Sequence, residues 1–148
     1  MSLTNVFNIA GTGMNAQSIR LNTTASNIAN AETVSSSIDE TYKARKPWFQ
    51  VLEKQWKDVD GLNRKLDVRA ETGDGVKVAA IVESDAPLKK RFEPHHPMAD
   101  DEGYVTYPNV NIVEEMTDMI SSSRSYQMNV EMMKTAKQML QRTLTLGQ

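Results

Sequence analysis

Residues 3–31 read LTNVFNIAGTGMNAQSIRLNTTASNIANA, and this stretch decides the fold because it is long, rich in apolar side chains and nearly uncharged. The only charged side chain within it is Arg20, and Glu32 follows directly after it. Apolar or small side chains recur every three or four residues, which places them along one side of an α-helix. We predict one helix over almost the whole stretch. Its stripe consists of Leu3, Phe7, Ala10, Met14, Gln17, Leu21, Thr24 and Ile28.

A second stripe with the same spacing occupies the other end of the chain. It consists of Ile112, Met116, Met119, Ser123, Tyr126, Val130, Met133, Lys137, Leu140 and Leu144. Two such stripes can pack against each other as a coiled coil, or against copies in neighbouring subunits. The first helix also carries apolar side chains away from its stripe, which predicts neighbours on two sides. The pattern therefore favours an assembly protein over an enzyme.

The segment between the helices has a different composition. Most of the 17 basic and 19 acidic residues lie there, as do all five prolines. Alternating side chains and turn residues predict short strands. The predicted strands are Trp48–Val51, Val76–Val82 and Leu88–Phe92, and a turn is predicted at Asp101–Gly103. Residues 53–69 are dense in charge and are predicted to form an exposed excursion.

The chain is thus predicted to be α+β, with long terminal helices that pair as a coiled coil and a small, mainly β middle. Its length fits one compact unit of about 150 residues. We divide it into an N-terminal helix and linker (residues 1–38), a β-rich middle module (39–108) and a C-terminal helix (109–148). Asn109 is the predicted cap of the last helix, because asparagine readily accepts hydrogen bonds from the first backbone amides.

Amide side chains interrupt the apolar pattern of the first helix. Asn22, Ser26 and Asn30 recur every four residues, with Asn27 beside them. Solvent exposure would explain such residues. Alternatively, they make polar contacts inside an apolar interface and fix its register.

Two glycines also interrupt this helix. Gly11 and Gly13 each cost about 1 kcal/mol relative to alanine in a helix interior. They mark either a locally weak segment or a place where another helix approaches closely.

Six of the nine methionines lie in the last helix. Methionine is flexible and fills irregular gaps, so it suits an ordinary core. It equally suits a helix that contacts several different neighbours.

No group of residues in the sequence predicts a reaction or a bound cofactor. The only histidines, His95 and His96, are adjacent and lie between Pro94 and Pro97, which is typical of a loop. No carboxylate at helical spacing completes a metal site with them. We therefore expect no enzyme activity, no cofactor and no metal.

Charge and hydropathy exclude further classes. A net charge of −2 does not favour nucleic acid, and no apolar run approaches the ~20 residues of a membrane span. The chain has no cysteine, which excludes disulfides. No basic segment followed by an apolar core stands at the N-terminus, so no cleaved signal peptide is expected.

Three motifs in the first helix resemble a known family. FNIAGTGMNAQ at residues 7–17, RLN at 20–22 and ASNIANA at 25–31 are similar to the N-terminal signature of bacterial flagellar rod, hook and filament-axial proteins. Further motifs resemble the proximal-rod members of that family. These are PMAD at 97–100, GYV at 103–105, PNVN at 108–111, SRSYQMNVE at 123–131 and TLTLGQ at 143–148. Glu53–Glu71 looks like extra length in the middle module, and His95-His96 replaces a turn that would be expected to contain glycine.

The resemblance implies a structural subunit of the proximal rod in the bacterial flagellum basal body, where it crosses the periplasm. In such proteins the terminal helices form an inner layer around a narrow export channel, and the stack transmits torque. The implied partners are other copies of the chain, other flagellar rod proteins and the flagellar type III export apparatus, which uses no cleaved signal peptide. The alternatives are another short axial rod subunit, or a soluble helical-hairpin adaptor that forms no polymer.

We predict an assembly interface along both terminal helices. Its residues are Leu3, Phe7, Ala10, Met14, Gln17, Leu21, Asn22, Asn27, Ile28, Asn30, Ile112, Met116, Met119, Tyr126, Val130, Met133, Leu140 and Leu144.

Overall fold

The computed structural model describes residues 3–35, 37, 40–52 and 75–146. Its elements in chain order are α1 (Leu3–Ala29), β1 (Arg45–Val51), β2 (Val76–Glu83), β3 (Lys89–Phe92), β4 (Tyr104–Tyr107) and α2 (Ile112–Leu146). The α+β class and the three predicted strands are confirmed, and the structure adds β4 after the predicted turn. The predicted excursion at residues 53–69 lies outside the described residues.

The two long helices pack side by side and run in opposite directions. Arg20 on α1 donates a hydrogen bond to Asp118 on α2 at 2.9 Å. Seven residues earlier on α1, Gly13 faces Asn129, which lies eleven residues later on α2. Among the described elements, α2 packs only against α1. The pairing of the terminal helices is confirmed, and its coiled-coil geometry stays a prediction.

Gly13 marks the point where the helices approach most closely. A Cβ atom at this position would lie 2.9 Å from the side-chain nitrogen of Asn129, closer than such atoms normally come. At Gly11 the nearest atom would be the methyl group of Met133, at an ordinary 4.0 Å. Of the two readings of these glycines, close helix approach therefore applies to Gly13 and not to Gly11.

The strands form two antiparallel pairs. β1 pairs with β2, with an irregularity between Trp48 and Phe49, and β3 pairs with β4. The β1–β2 pair packs on α1, where the hydroxyl of Thr12 accepts a hydrogen bond from the Val76 amide. A bridge from Ser35 to Thr106 ties the β3–β4 pair to the segment that follows α1.

The buried core is small and sits where the ends of the helices meet the strands. Ala31, Ala44 and Val110 form its centre, with Tyr42 and Ile112 packed against them. The chain exposes 11511 Å² of surface, whereas a compact monomer of 16.6 kDa exposes about 7,600 Å². Large apolar side chains such as Trp48, Val113 and Met128 are among those exposed in the described part of the chain.

The residue that caps α2 differs from the prediction. The side-chain oxygen of Asn111, not that of Asn109, accepts a hydrogen bond from the Val113 amide at 3.2 Å. Asn109 is instead bonded to the segments around β1 and β2. The prediction of Asn109 as cap was wrong because tertiary contacts use its amide.

The two glycines of α1 should respond differently to a methyl group. Gly11→Ala should raise the free energy of unfolding by up to about 1 kcal/mol, because it adds helix propensity where there is room. Gly13→Ala should gain less or destabilise the protein, because the new methyl group must displace Asn129. Urea unfolding followed by circular dichroism measures both changes. Equal stabilisation by the two substitutions would contradict close packing at Gly13.

Candidate assembly surface

The fully buried side chains on the face of α2 that contacts α1 are small or polar, and larger apolar side chains such as Met133 lie half-buried beside them. Glu115, Ser122 and Ala136 are buried on this inward face, which also presents Asn129 to Gly13. Small side chains suit this face because the backbone of α1 comes close to it. Few large apolar side chains fit between the helices, and the remainder must point elsewhere.

The opposite side of α2, which we call the outward face, carries exposed apolar side chains interspersed with polar ones such as Arg124 and Glu131. Its exposed apolar side chains are Val113 at 74%, Met116 at 51%, Ile120 at 56%, Met128 at 66%, Met132 at 50% and Met139 at 54%. No other described element packs against it. Rows of large exposed apolar side chains mark interaction surfaces in soluble proteins. The outward face is therefore the principal candidate assembly surface.

The predicted interface residues divide into three groups by exposure. Met116, Tyr126, Leu144 and Asn22 are exposed. Ala10 and Asn27 are buried within the chain. Those of intermediate burial are Phe7, Met14, Gln17, Leu21, Ile28, Asn30, Ile112, Met119, Val130, Met133 and Leu140. Leu3 belongs to α1, and its side chain lies outside the described residues.

The predicted stripe of α2 therefore runs along the boundary between the two faces. It includes Met116 of the outward face and Met133, which lies near Gly11 on α1. It omits most of the outward residues, namely Val113, Ile120, Met128, Met132 and Met139. Their mutual spacing and the six methionines in this helix could have indicated a second apolar face.

Asn27 is fully buried and ties α1 to the start of β1. Its side-chain oxygen accepts hydrogen bonds from the Tyr42 hydroxyl at 2.8 Å and the Arg45 amide at 3.0 Å. Its side-chain nitrogen donates to the Arg45 carbonyl at 2.8 Å. These contacts hold the middle module against α1 within one chain. By contrast, Asn22 is exposed, and Asn30 donates to the Ser26 carbonyl of its own helix.

Asn109 makes a matching set of contacts just before α2. Its side-chain oxygen accepts from the Ala44 amide at 2.7 Å. Its nitrogen donates to the carbonyls of Ser84 and Ala86, at 3.2 and 2.8 Å. Asn27 and Asn109 thus bind adjacent residues of one short segment from two sides. We call this pair the asparagine clamp.

A buried carboxyl group lies beside the clamp. Glu115 is only 4% exposed, and one of its carboxyl oxygens has no hydrogen-bond partner within the described structure. Burial is the largest influence and raises the pKa of Glu115 above its ordinary value of 4.5. Hydrogen bonding to Asn27 and the charge of Lys46 act in the opposite direction. The charges of Asp118 and Glu114 raise the pKa of Glu115 further.

The β1–β2 pair carries a second group of exposed apolar side chains. These are Trp48 at 65%, Val51 at 61%, Ile81 at 53% and Val82 at 45% exposure. Ile81 and Val82 are consecutive in β2 and point to opposite faces, because a pair of only two strands leaves both faces partly uncovered. The group lies on the middle module and is separate from the outward face of α2.

His96 stabilises a turn in the structure. The ring nitrogen Nδ1 of His96 accepts a hydrogen bond from the Met98 amide at 3.1 Å. Within the described residues, no group of three or more histidine, cysteine or acidic side chains is placed to hold a metal ion. None of the described helices is long and apolar enough to cross a membrane.

Removing the Asn27 amide should loosen the middle module from α1. Asn27→Ala should lower the free energy of unfolding by about 2 to 4 kcal/mol, since a buried group left without its partner costs about 1 to 3 kcal/mol. Asn22→Ala is the control, because this exposed side chain should change stability by no more than about 0.5 kcal/mol. Equal effects of the two substitutions in urea unfolding would contradict the role of Asn27.

Glu115 should make stability depend on pH in a defined direction. Because its pKa is raised in the folded state, its favourable contribution is complete below pH 4.5 and is lost as pH rises through the folded pKa. Glu115→Gln should therefore stabilise the protein at pH 7, by an amount that shrinks as pH falls toward 4.5. Glu131→Gln, at a side chain that is 73% exposed, is the control. A gain for Glu115→Gln that grew on acidification would contradict the burial of a charged carboxylate.

Comparison with known proteins agrees with this architecture. The family model described as flagella basal body rod protein matches residues 7–34, which cover most of α1. The model described as flagellar basal body rod FlgEFG protein C-terminal matches residues 101–146, which cover β4 and α2. Both matches thus include a terminal helix.

Relatives extend the similarity to the whole chain. The flagellar basal-body rod protein FlgC of Escherichia coli O6:H1 is 47% identical over 148 residues, covering 100% of both chains. Its counterpart in Salmonella typhimurium is 45% identical over the same span. That of Borreliella burgdorferi is 36% identical over 157 residues, covering all of this chain and 99% of the relative.

The alignment with the Escherichia coli protein covers both proteins completely. The extra length expected at Glu53–Glu71 stays a prediction. Identity of 36 to 47% over the full length shows that the chain belongs to the flagellar basal-body rod protein FlgC family, the structural rod subunits of the basal body.

Proposed function

We propose that this subunit belongs to the proximal rod, that its paired helices form the inner layer around the export channel, and that the assembled stack transmits torque. The observation that carries this proposal is the outward face of α2. Six large apolar side chains are exposed there along one helix, and no described element covers them. A helix with apolar side chains on opposite faces needs a neighbour on each. Within the chain α1 supplies one, and another subunit supplies the other.

The asparagine clamp gives a physical basis for transmitting torque. A rotating rod must pass force between its helical layer and the outer part of each subunit. The clamp links both helices to the middle module through six hydrogen bonds with distances between 2.7 and 3.2 Å. Short side-chain bonds of this kind fix an orientation more firmly than a flexible linker does.

The proposed partners are other copies of the chain, other flagellar rod proteins and the flagellar type III export apparatus. The relatives are named as basal-body rod proteins, which supports assembly within the rod. We propose that the chain crosses into the periplasm without cleavage of a signal peptide. We also propose that its role is purely structural, with no catalytic step and no cofactor.

A charge on the outward face should prevent assembly without unfolding the chain. Met128→Asp and Ile120→Asp each place a carboxylate on a surface that is proposed to become buried, which costs several kcal/mol in the assembled state. Each purified variant should keep the wild-type thermal melt, because both side chains are exposed in the monomer. Cells that carry either variant should export the protein but build few basal bodies by electron microscopy.

The matched control is Gln141→Asp, which adds the same charge at an exposed polar position of α2, about 140° around the helix from Met128. It should leave basal-body numbers and swimming unchanged. Normal basal bodies with both Met128→Asp and Ile120→Asp would contradict the proposal that the outward face is an assembly surface.

A further inference from the structure

A groove lies on the side of α1 that is turned away from α2. It is bordered by Ile19, Asn22 and Thr23 of α1 and by Arg45, Ile81 and Glu83 of the β1–β2 pair, and it has a volume of ≈ 570 Å³. Asn22 follows Arg20 by two residues, which places their side chains on nearly opposite sides of the helix. Because Arg20 contacts α2, the groove opens on the far side of the helix pair.

The chemistry of the groove suits an apolar occupant. The residues from α1 are uncharged, and Ile81 is 53% exposed at its edge. The two charged residues, Arg45 and Glu83, pair with each other at 2.9 Å and contribute no net charge. An occupant would therefore bury apolar side chains here without leaving a charged side chain buried and unpaired.

The outward face of α2 complements the groove in two ways: it carries apolar side chains, and it lies on the other side of the helix pair. It lies on the opposite side of the helix pair, so a chain cannot place its outward face in its own groove. Arg124 is exposed between Ile120 and Met128. Arg45 binds only the Oε1 atom of Glu83, so the other carboxyl oxygen at the groove rim can accept a hydrogen bond from Arg124. The methionines are unbranched and flexible, and can therefore fill an irregular groove.

We propose that the outward face of α2 in one copy occupies the groove between α1 and the β1–β2 pair of the next copy. This inference rests on the proposed function, and it names the surface of the next copy that covers the outward face of α2. The contact joins two different surfaces, so repeated contacts generate a helical stack when the rotation between copies does not close. The surface exposed beyond that of a compact monomer exceeds the ~800 Å² that each partner buries in a standard interface.

Cysteine cross-linking in assembled basal bodies tests this pairing, and the chain contains no native cysteine to interfere. Asn22→Cys is combined in one chain with Ile120→Cys, Met128→Cys or Met132→Cys, so that three axial offsets are sampled. Basal bodies are purified, treated with a short bismaleimide and analysed on a denaturing gel. At least one pair should give a ladder of dimers and larger multiples of the chain.

The control pair is Asn22→Cys with Lys137→Cys. Lys137 is exposed but lies nine residues, about two and a half turns, beyond Met128 and therefore on the other side of α2. This pair should give no ladder. A second control expresses two single-cysteine chains together, one with Asn22→Cys and the other with Met128→Cys. Their cross-linked products should be no larger than dimers.

Two results would overturn the inference. One is intact basal bodies in which none of the three pairs cross-links. The other is a cross-link from the groove to a different rod protein, identified by mass spectrometry. Either result leaves the proposed function standing, because the chain would still be part of an assembled rod. Failure of the wild-type chain to enter basal bodies would instead remove the proposed function itself.

Discussion

The close approach of α1 and α2 limits which side chains of α2 can lie between the helices. Gly13 removes the side chain that would keep the helices apart, and Asn129 fills the space it leaves. Ser122 and Ala136 are buried against α1, whereas Met116, Met128, Met132 and Met139 are exposed. The close packing of two helices thus leaves an apolar outer surface. Such a surface promotes aggregation of a monomer, whereas in a polymer it can be buried against neighbouring subunits.

The second constraint is the way the middle module is attached to this helix pair. Asn27 and Asn109 are far apart in the sequence, yet both bind the segment that leads into β1. The core beneath them is made of small residues and cannot hold the module in place by hydrophobic burial alone. Hydrogen bonds therefore help to hold the module in place, as a large hydrophobic core does in other proteins. Burial raises the pKa of Glu115 at this junction, which predicts that its stability depends on pH.

Periodicity and turn chemistry were sufficient to predict both helices, three of the four strands and the fold class. They did not identify the contact face of α2, because both of its faces contain apolar side chains and the closeness of α1 decides between them. They could not show that Asn111 rather than Asn109 caps α2, since the partners of Asn109 are 23 to 65 residues away. The buried position of Asn27 likewise depends on Tyr42 and Arg45, which no local pattern connects to it. Spacing thus predicted the elements, and the contacts between distant residues required the structure.

The antiparallel pairing also gives the molecule a direction. Leu3 of α1 and Leu146 of α2 lie at one pole, whereas Ala29 and Ile112 lie at the other, where the small core is. In the described part of the chain, one pole is formed by the ends of the two helices, and the other carries the small core and the clamp. A stack in which every copy points the same way inherits this polarity, so its two tips expose different chemistry. Such a stack can be anchored at one tip and extended at the other without any additional factor to tell the tips apart.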